Sequence, residues 1–334
     1  MMTSKNYRIL NWLSIFFIFM LFVIGGLVRS TGSGMGCPDW PKCFGQYIPP
    51  TSENTLPNNY QTFYKEQRII KTNRFVEILK WIGLEKKALE IQKNSSLNET
   101  HEFNFLKAYV EYFNRIWGAL TGIIVLICLI LSAYYLKIKP KVFVFTLLGF
   151  IGVLFNALLG AVVVNSNLIG GIVTAHFIAA FASISFFLIA NNVSDEKNHW
   201  SISNPTLSIL LLIFTSIQVV IGAFVRESFD RITNFTDIQH TITFLLPKIN
   251  YHAILGAVIL GLAVLQFIRI PKHHFTSGFA KYILVLSALQ LIIGPLSLIN
   301  QFIAVSKLLH ISFGAGLYVL QFYICTSFFK KNII

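Results

Sequence analysis

The sequence predicts an all-α polytopic membrane protein whose eight transmembrane helices form two parallel four-helix repeats. Three observations predict it. Eight apolar runs are each long enough to cross a hydrocarbon core, which takes about 20 helical residues. Only 12% of the 334 residues are charged and 54% are hydrophobic, whereas a soluble domain carries about 25% charged residues. Short motifs also recur, in chain order, between the two halves. Mean hydropathy is +0.65, with 31 Phe and 10 Pro. That excludes a disordered chain, a disulfide-rich miniprotein and an ordinary cytosolic enzyme.

The predicted spans lie near 9–28, 106–136, 141–164, 168–192, 206–226, 247–269, 279–301 and 303–329. Lys5 and Arg8 before the first give it the look of a signal peptide. The stretch is too long for such an apolar region and no A-x-A site follows, so it reads as a retained helix. Net charge is +13, from 27 Lys and Arg against 14 Asp and Glu. In a soluble protein that excess suggests nucleic acid. Here the basic residues sit between apolar runs, so the reading is membrane lipid and no nucleic-acid partner. Lys137, Lys139 and Lys141 fall between spans two and three; Arg269, Lys272, His273 and His274 between six and seven; Lys330 and Lys331 after eight. All share a side with Lys5 and Arg8, while Asn165–Asn167 on the other side carries no positive charge. The positive-inside rule then puts both termini in the cytoplasm of a cell inner membrane. Spans two, four, six and eight enter from the outer face.

Three matches relate the halves. Asn156-x3-Gly160 followed by His176 corresponds to Gln290-x3-Gly294 followed by His310, at an offset of 134. The segment Phe113–Ala119 aligns with Tyr251–Ala257, and Ile24-Gly25-x-x-Val28-Arg29 with Ile221-Gly222-x-x-Val225-Arg226. Four spans per repeat is an even number, so both halves share one orientation, related by a pseudo-twofold axis along the membrane normal. The chain divides at 1–192 and 193–334.

Of eight histidines, only His176, His252 and His310 fall within spans. Ionisable side chains in a membrane are costly and need a reason. All three lie on helices entering from the outer face, His176 and His310 about 12 Å in at 1.5 Å per residue. Two imidazoles facing across a bundle ligate haem iron axially. His252 and His310 make such a pair in the second half. The repeat places a matching first-half site at Asn114 and His176, and Asn is a poor iron ligand. The bland alternative for each His is interhelical hydrogen bonding; recurrence at one depth argues against it for the pair.

Glu111 is the one acid placed well inside a span, three residues before Asn114 and so on the same helix face. It reads either as a proton-carrying or charge-stabilising group or as a first-turn acid favoured by the helix dipole. Arg29 and Arg226 end equivalent spans and Arg115 follows Asn114; guanidinium matches a haem propionate, and interfacial snorkelling is the alternative. Cys37 and Cys43 in the first outer loop are too few for structural zinc, and an oxidising compartment would allow a disulfide. Cys128 and Cys325 read as packing residues. The 30–105 loop carries apolar residues at helical spacing over 60–93 (Ile69, Ile70, Val76, Leu79, Trp81, Ile82, Leu84), which predicts an amphipathic helix on the outer surface or capping the bundle. Two glycosylation sequons, at Asn94 and Asn98, carry no weight.

Together these residues resemble the haem A synthase family, over nearly the whole chain except 50–100. The resemblance rests on Gly25-Gly26-Leu27-Val28-Arg29-Ser30-Thr31-Gly32-Ser33-Gly34, Cys37 and Cys43, Glu111-x-x-Asn114-Arg115, and the histidines of spans four, six and eight. It implies oxidation of the C8 methyl of haem O to a formyl group by successive hydroxylations, for cytochrome oxidase. It implies that His252 and His310 hold a resident haem b, and that His176 and Glu111 belong to a first-half haem O site. It also implies that the two loop cysteines are a disulfide or redox pair. The family usually has His after Glu-x-x; this chain has Asn114. The implied partner is a haem O synthase delivering substrate, with an unnamed electron acceptor; a homo-oligomer is compatible. Two other readings are a dihaem electron-transfer cytochrome, which would want strong ligands in both halves, and a parallel-repeat transporter, which would want polar residues near the midplane.

Overall fold

The computed structural model describes residues 4–81, 83–92, 102–165, 171–195, 204–233, 238–271, 276–299 and 303–333. These residues form ten α-helices: α1 (Ser4–Ser30), α2 (Tyr60–Trp81), α3 (Glu85–Gln92), α4 (Phe105–Ser132), α5 (Pro140–Asn165), α6 (Ile172–Ser194), α7 (Pro205–Thr233), α8 (Ile238–Arg269), α9 (Ser277–Leu296) and α10 (Ile303–Ile333). Among the described residues eight of these helices, all but α2 and α3, are long and apolar enough to cross a membrane, which makes the chain a multi-pass membrane protein. The described residues contain no strand. Local chemistry sets several ends. Asn104 caps α4 by accepting from Lys107 N. Pro140 and Pro205 open α5 and α7, where a missing N–H costs nothing.

Of the helix limits that differ from those predicted, four bear on the cavity. α7 runs to Thr233, beyond 226, because Arg226, Glu227 and Asp230 find partners in the fold and need not leave the helix. α8 starts at Ile238, since Pro247 is accommodated within it. α9 ends at Leu296, with Pro295 in its last turn. α6 starts at Ile172, after Gly171 at φ 88°. His176 therefore lies about 6 Å from its helix start at 1.5 Å per residue, half the predicted depth.

Helices α1, α4, α5 and α6 pack in a ring, each against the next, and α7, α8, α9 and α10 form a second ring. The first encloses Ile15, Ile18, Phe22, Val125, Ile184 and Phe187; the second encloses Leu211, Ile259, Ile283 and Ile324. In α5, a Cβ at Gly149 would lie 2.7 Å from Phe187 and one at Gly152 2.4 Å from Ser183 Oγ, so only glycine lets α6 approach this closely. Small residues allow such contact where lipid gives no hydrophobic drive. The rings join along α10, which touches α1 and α6. Tyr318 stacks edge-on to Phe181 and shares a hydrogen bond of 3.0 Å with Ser185. Outward-facing Ile, Leu and Phe side chains stay exposed along the crossings, as a lipid solvent allows. Cys128 and Cys325 are buried free thiols.

The long segment between α1 and α4 closes one end of the bundle, called here the loop end. Cys37 and Cys43 form a disulfide. Asp39 accepts from Phe44 N (2.7 Å) and Gly45 N (2.9 Å), folding the loop back on itself. Phe44, Leu56, Tyr60 and the disulfide pack on Ala108 of α4. The predicted insertion is the α2–α3 hairpin, docked through Val76, Leu79, Ala88 and Ile91 near Ile172 of α6. It caps the bundle, but it has more than the one apolar face expected. Ile70, Ile78 and Trp81 lie on the other side of α2 and are 46%, 55% and 87% exposed. The sequons, His101, His199 and residues 272–274 fall outside the described residues, as does Ile82.

Candidate functional site

A cavity of about 2050 Å³ opens between the helices towards the loop end and runs through both rings. Ligand pockets commonly measure about 300–1,000 Å³, so there is room for two large ligands. His176, His252, His310, Asn114, Glu111, Arg29, Arg115 and Arg226 all reach its wall. The sequence scatters these residues over six helices; the fold collects every one around one space.

His252 and His310 face each other with ring centroids 6.1 Å apart and planes at 68°. That separation would leave room for a metal bound by one nitrogen of each ring, at about 2 Å per bond. Among the described residues the buried Nδ1 of each ring, and that of His176, has no hydrogen-bond partner, while His252 Nε2 lies 3.4 Å from Gln218 Nε2. Each Nδ1 lies on the side of the glycine in the neighbouring helix, 3.5–4.0 Å from where a Cβ at Gly160, Gly222 or Gly294 would stand. Glycines make room for the rings. A Cβ at Gly222 would come within 2.8 Å of His252 Cε1, one at Gly294 within 3.5 Å of His310 Cε1, and one at Gly160 within 3.4 Å of His176 Cε1. Gln218 donates to the His252 carbonyl at 2.8 Å and Gln290 to the His310 carbonyl at 2.9 Å, fixing the backbone at each ring. Among the described residues no three His, Cys, Asp or Glu side chains converge. The donor set thus suits a prosthetic group supplying its own in-plane ligands, with two axial imidazoles, as in haem.

Asn114 lies in the same wall, half-buried and with no side-chain hydrogen bond to the described residues. Gly25, whose sequence counterpart is Gly222, has nothing within 4 Å of an added Cβ. Glu111 is 3% exposed and has both oxygens engaged. Oε2 accepts from Cys37 N at 2.9 Å, and Oε1 pairs with Arg115 Nη2 at 2.5 Å. Arg115 also donates to the carbonyls of Asp39 (2.8 Å) and Lys42 (2.7 Å). Glu111 and Arg115, one turn apart on α4, therefore clamp the disulfide loop onto the bundle.

Arg29 and Arg226 meet across the two rings on a residue the sequence reading passed over, Asp230. Arg29 Nε and Nη2 lie 3.0 Å from Asp230 Oδ2. Arg226 reaches both its oxygens at 3.1 Å. Glu227, 8% exposed, lines the cavity and accepts from Thr174 Oγ1 of α6 at 2.8 Å. Glu111 is therefore not the one acid inside a crossing: α7 carries Glu227 and Asp230 within the apolar helix. Lys307, also unremarked in the sequence, precedes His310 by one turn, and that spacing alone puts it on the histidine's face.

Fold and site together define a class: a helical membrane protein with an intramembrane, histidine-lined cavity built for large prosthetic groups. The family model for the cytochrome oxidase assembly protein (COX15-CtaA) matches residues 8–83 and 76–322. The chain belongs to that family. It is similar to proteins named heme A synthase. One from Ehrlichia canis is 24% identical over 221 residues, 62% of this chain and 56% of that protein. One from an Exiguobacterium species is 25% identical over 213 residues, 62% and 54%. One from Orientia tsutsugamushi is 23% identical over 377 residues, 97% and 95%. The chain spans little more than half the length of the first two.

Proposed function

We propose that this protein is a haem A synthase, an oxidoreductase that converts the C8 methyl of haem O to a formyl group by successive hydroxylations. The observation that carries the reading is the facing pair His252 and His310, 6.1 Å apart in a cavity of about 2050 Å³, in a chain of the cytochrome oxidase assembly family.

In this reading the second half, 193–334, holds a resident haem b between His252 and His310, with Gln218 and Gln290 fixing the two helices. Bound haem b supplies a relay for the electrons that oxidation of an unactivated methyl releases. The first half, 1–192, binds the substrate haem O beside His176, with Asn114 in the wall, and a pseudo-twofold axis relates the halves. Glu111, kept beside Arg115, holds a fixed negative charge where positive charge develops on the substrate. Arg29 and Arg226 face the propionates; Arg115 serves the loop instead. Haem O arrives from a haem O synthase through the membrane. The protein sits in the cell inner membrane with both termini in the cytoplasm and its haem sites towards the outer face.

The test is expression of the full chain beside a haem O supply, followed by chromatography of the extracted haems. Haem A is the expected product. Haem B and haem O alone would overturn the proposal and point to a dihaem electron carrier. Purified protein should show a low-spin b-type spectrum that His252→Ala or His310→Ala removes.

A further inference from the structure

Three cations gather on the loop-end side of the histidine pair, with one carboxylate between them. Arg29 comes from α1, Arg226 from α7 and Lys307 from α10; all three line the cavity. Asp230 takes four contacts of 3.0–3.1 Å from the two arginines. Among the described residues Lys307 makes no ion pair within 4 Å; Asp230 is the carboxylate that acts on it from further off, and its ammonium lies 4.7 Å over the Phe229 ring. Arg226 Nη1 is buried without a partner. Charges in such a setting are normally paired, and Glu227 beside them in sequence accepts from Thr174. The cluster is short of an anion.

Its place shows which anion. Arg226 follows Gly222, which bears the His252 ring, by one turn; Lys307 precedes His310 by one turn; Arg29 follows Gly25 by one turn. One turn is about 5 Å. A flat group lying between the histidines, with acidic arms on its edge, would bring them to this height. We propose that Arg29, Arg226 and Lys307 form a single anion site, shared by both halves, that takes a carboxylate of a bound tetrapyrrole, with Asp230 as its internal counter-ion. Asp230 holds the two arginines together and shares them with the incoming carboxylate; Lys307 is the cation reserved for the ligand. The inference rests on the haem reading above and adds to it Lys307, Asp230 and the sharing between halves.

The experiment titrates haem-depleted full-length protein in detergent with protohaem and with protohaem dimethyl ester, which has the same ring and iron but no acid groups. Wild type should prefer the free acid by roughly tenfold or more, the scale of one charge-assisted hydrogen bond. Lys307→Ala should lose most of that preference while binding the ester as wild type does, and Lys307→Arg should restore it. Asp230→Asn should sharpen the preference. Equal weakening of both ligands in Lys307→Ala, or no change in either, overturns the proposal, as would an unsharpened preference in Asp230→Asn for that residue's part. Absence of a six-coordinate haem spectrum in wild type would instead overturn the haem reading itself.

Discussion

The imidazole of His252 rests on Gly222 so closely that a methyl group there would sit 2.8 Å from Cε1. The contact is between backbone and ring, so a side chain at 222 can be accommodated only by turning the imidazole. Overpacking of this kind costs about 1–3 kcal/mol, and here the strain falls on the ring that faces His310. Gly222→Ala should therefore broaden or abolish the low-spin b-type spectrum. Gly294→Ala, at 3.5 Å from His310, should perturb it less, and Gly25→Ala, facing open space, should leave it intact. Absorbance spectra of the three purified variants check the order; equal effects would show that the glycines do not shape the ring pair.

The clamp of Glu111 and Arg115 on the disulfide loop makes a second prediction. Removing one partner of a buried ion pair strands the other, at about 3–5 kcal/mol. Arg115→Ala should lower the thermal midpoint and expose the loop, since its guanidinium ties Glu111 of α4 to the loop carbonyls of Asp39 and Lys42. Glu111→Ala should do the same, and the double variant should lose less than the sum, with a coupling of about 1–3 kcal/mol. Thermal unfolding in detergent reads this directly. Additive losses would separate the two residues and leave Glu111 free of the loop.

The hairpin of α2 and α3 places Ile91 both in its own small core and in the cavity wall. Truncating a fully buried Ile costs about 2–5 kcal/mol, a large share of what holds so small a cap. Ile91→Ala should speed trypsin cleavage at Lys80 and Lys86 in native membranes. Unchanged cleavage would mean that the cap is held by something other than this contact.

How much of this was legible in sequence depends on how far the cause lies along the chain. All eight crossings are local, since length and hydropathy suffice for them. The histidines were legible too, because a repeat offset of 134 ties His176 to His310. The end of α7 was not. Hydropathy stops at Arg226, and the reasons to continue, Thr174 for Glu227 and Arg29 for Asp230, come from α6 and α1. The loop contacts of Arg115 were hidden for a similar reason. Sequence shows an arginine beside a site, but only folding of the loop supplies the two carbonyls and Glu111 that claim it. In α2 a single apolar face was expected, whereas burial of Val76 and Leu79 leaves Ile70, Ile78 and Trp81 outside.

Asn114 gives the sharpest test of the correspondence between halves. Its counterpart in the sequence match is His252, and the counterpart of Gly25 is Gly222. The second half has a ring pressed on a glycine; the first has an amide and open space over the glycine. In the first half, then, the glycine corresponding to Gly222 faces open space. Asn114→His should occupy that space with little steric cost, since nothing within 4 Å of Gly25 stands in its way. Together with His176 it should then offer a haem two imidazoles, where the proposed site has one imidazole and one amide. Added haem O should shift from a high-spin to a low-spin spectrum in this variant, and the His252–His310 signal should not change. A spectrum identical to wild type would mean that positions 114 and 252 are not equivalent, and the assignment of the substrate site to His176 would fall with them.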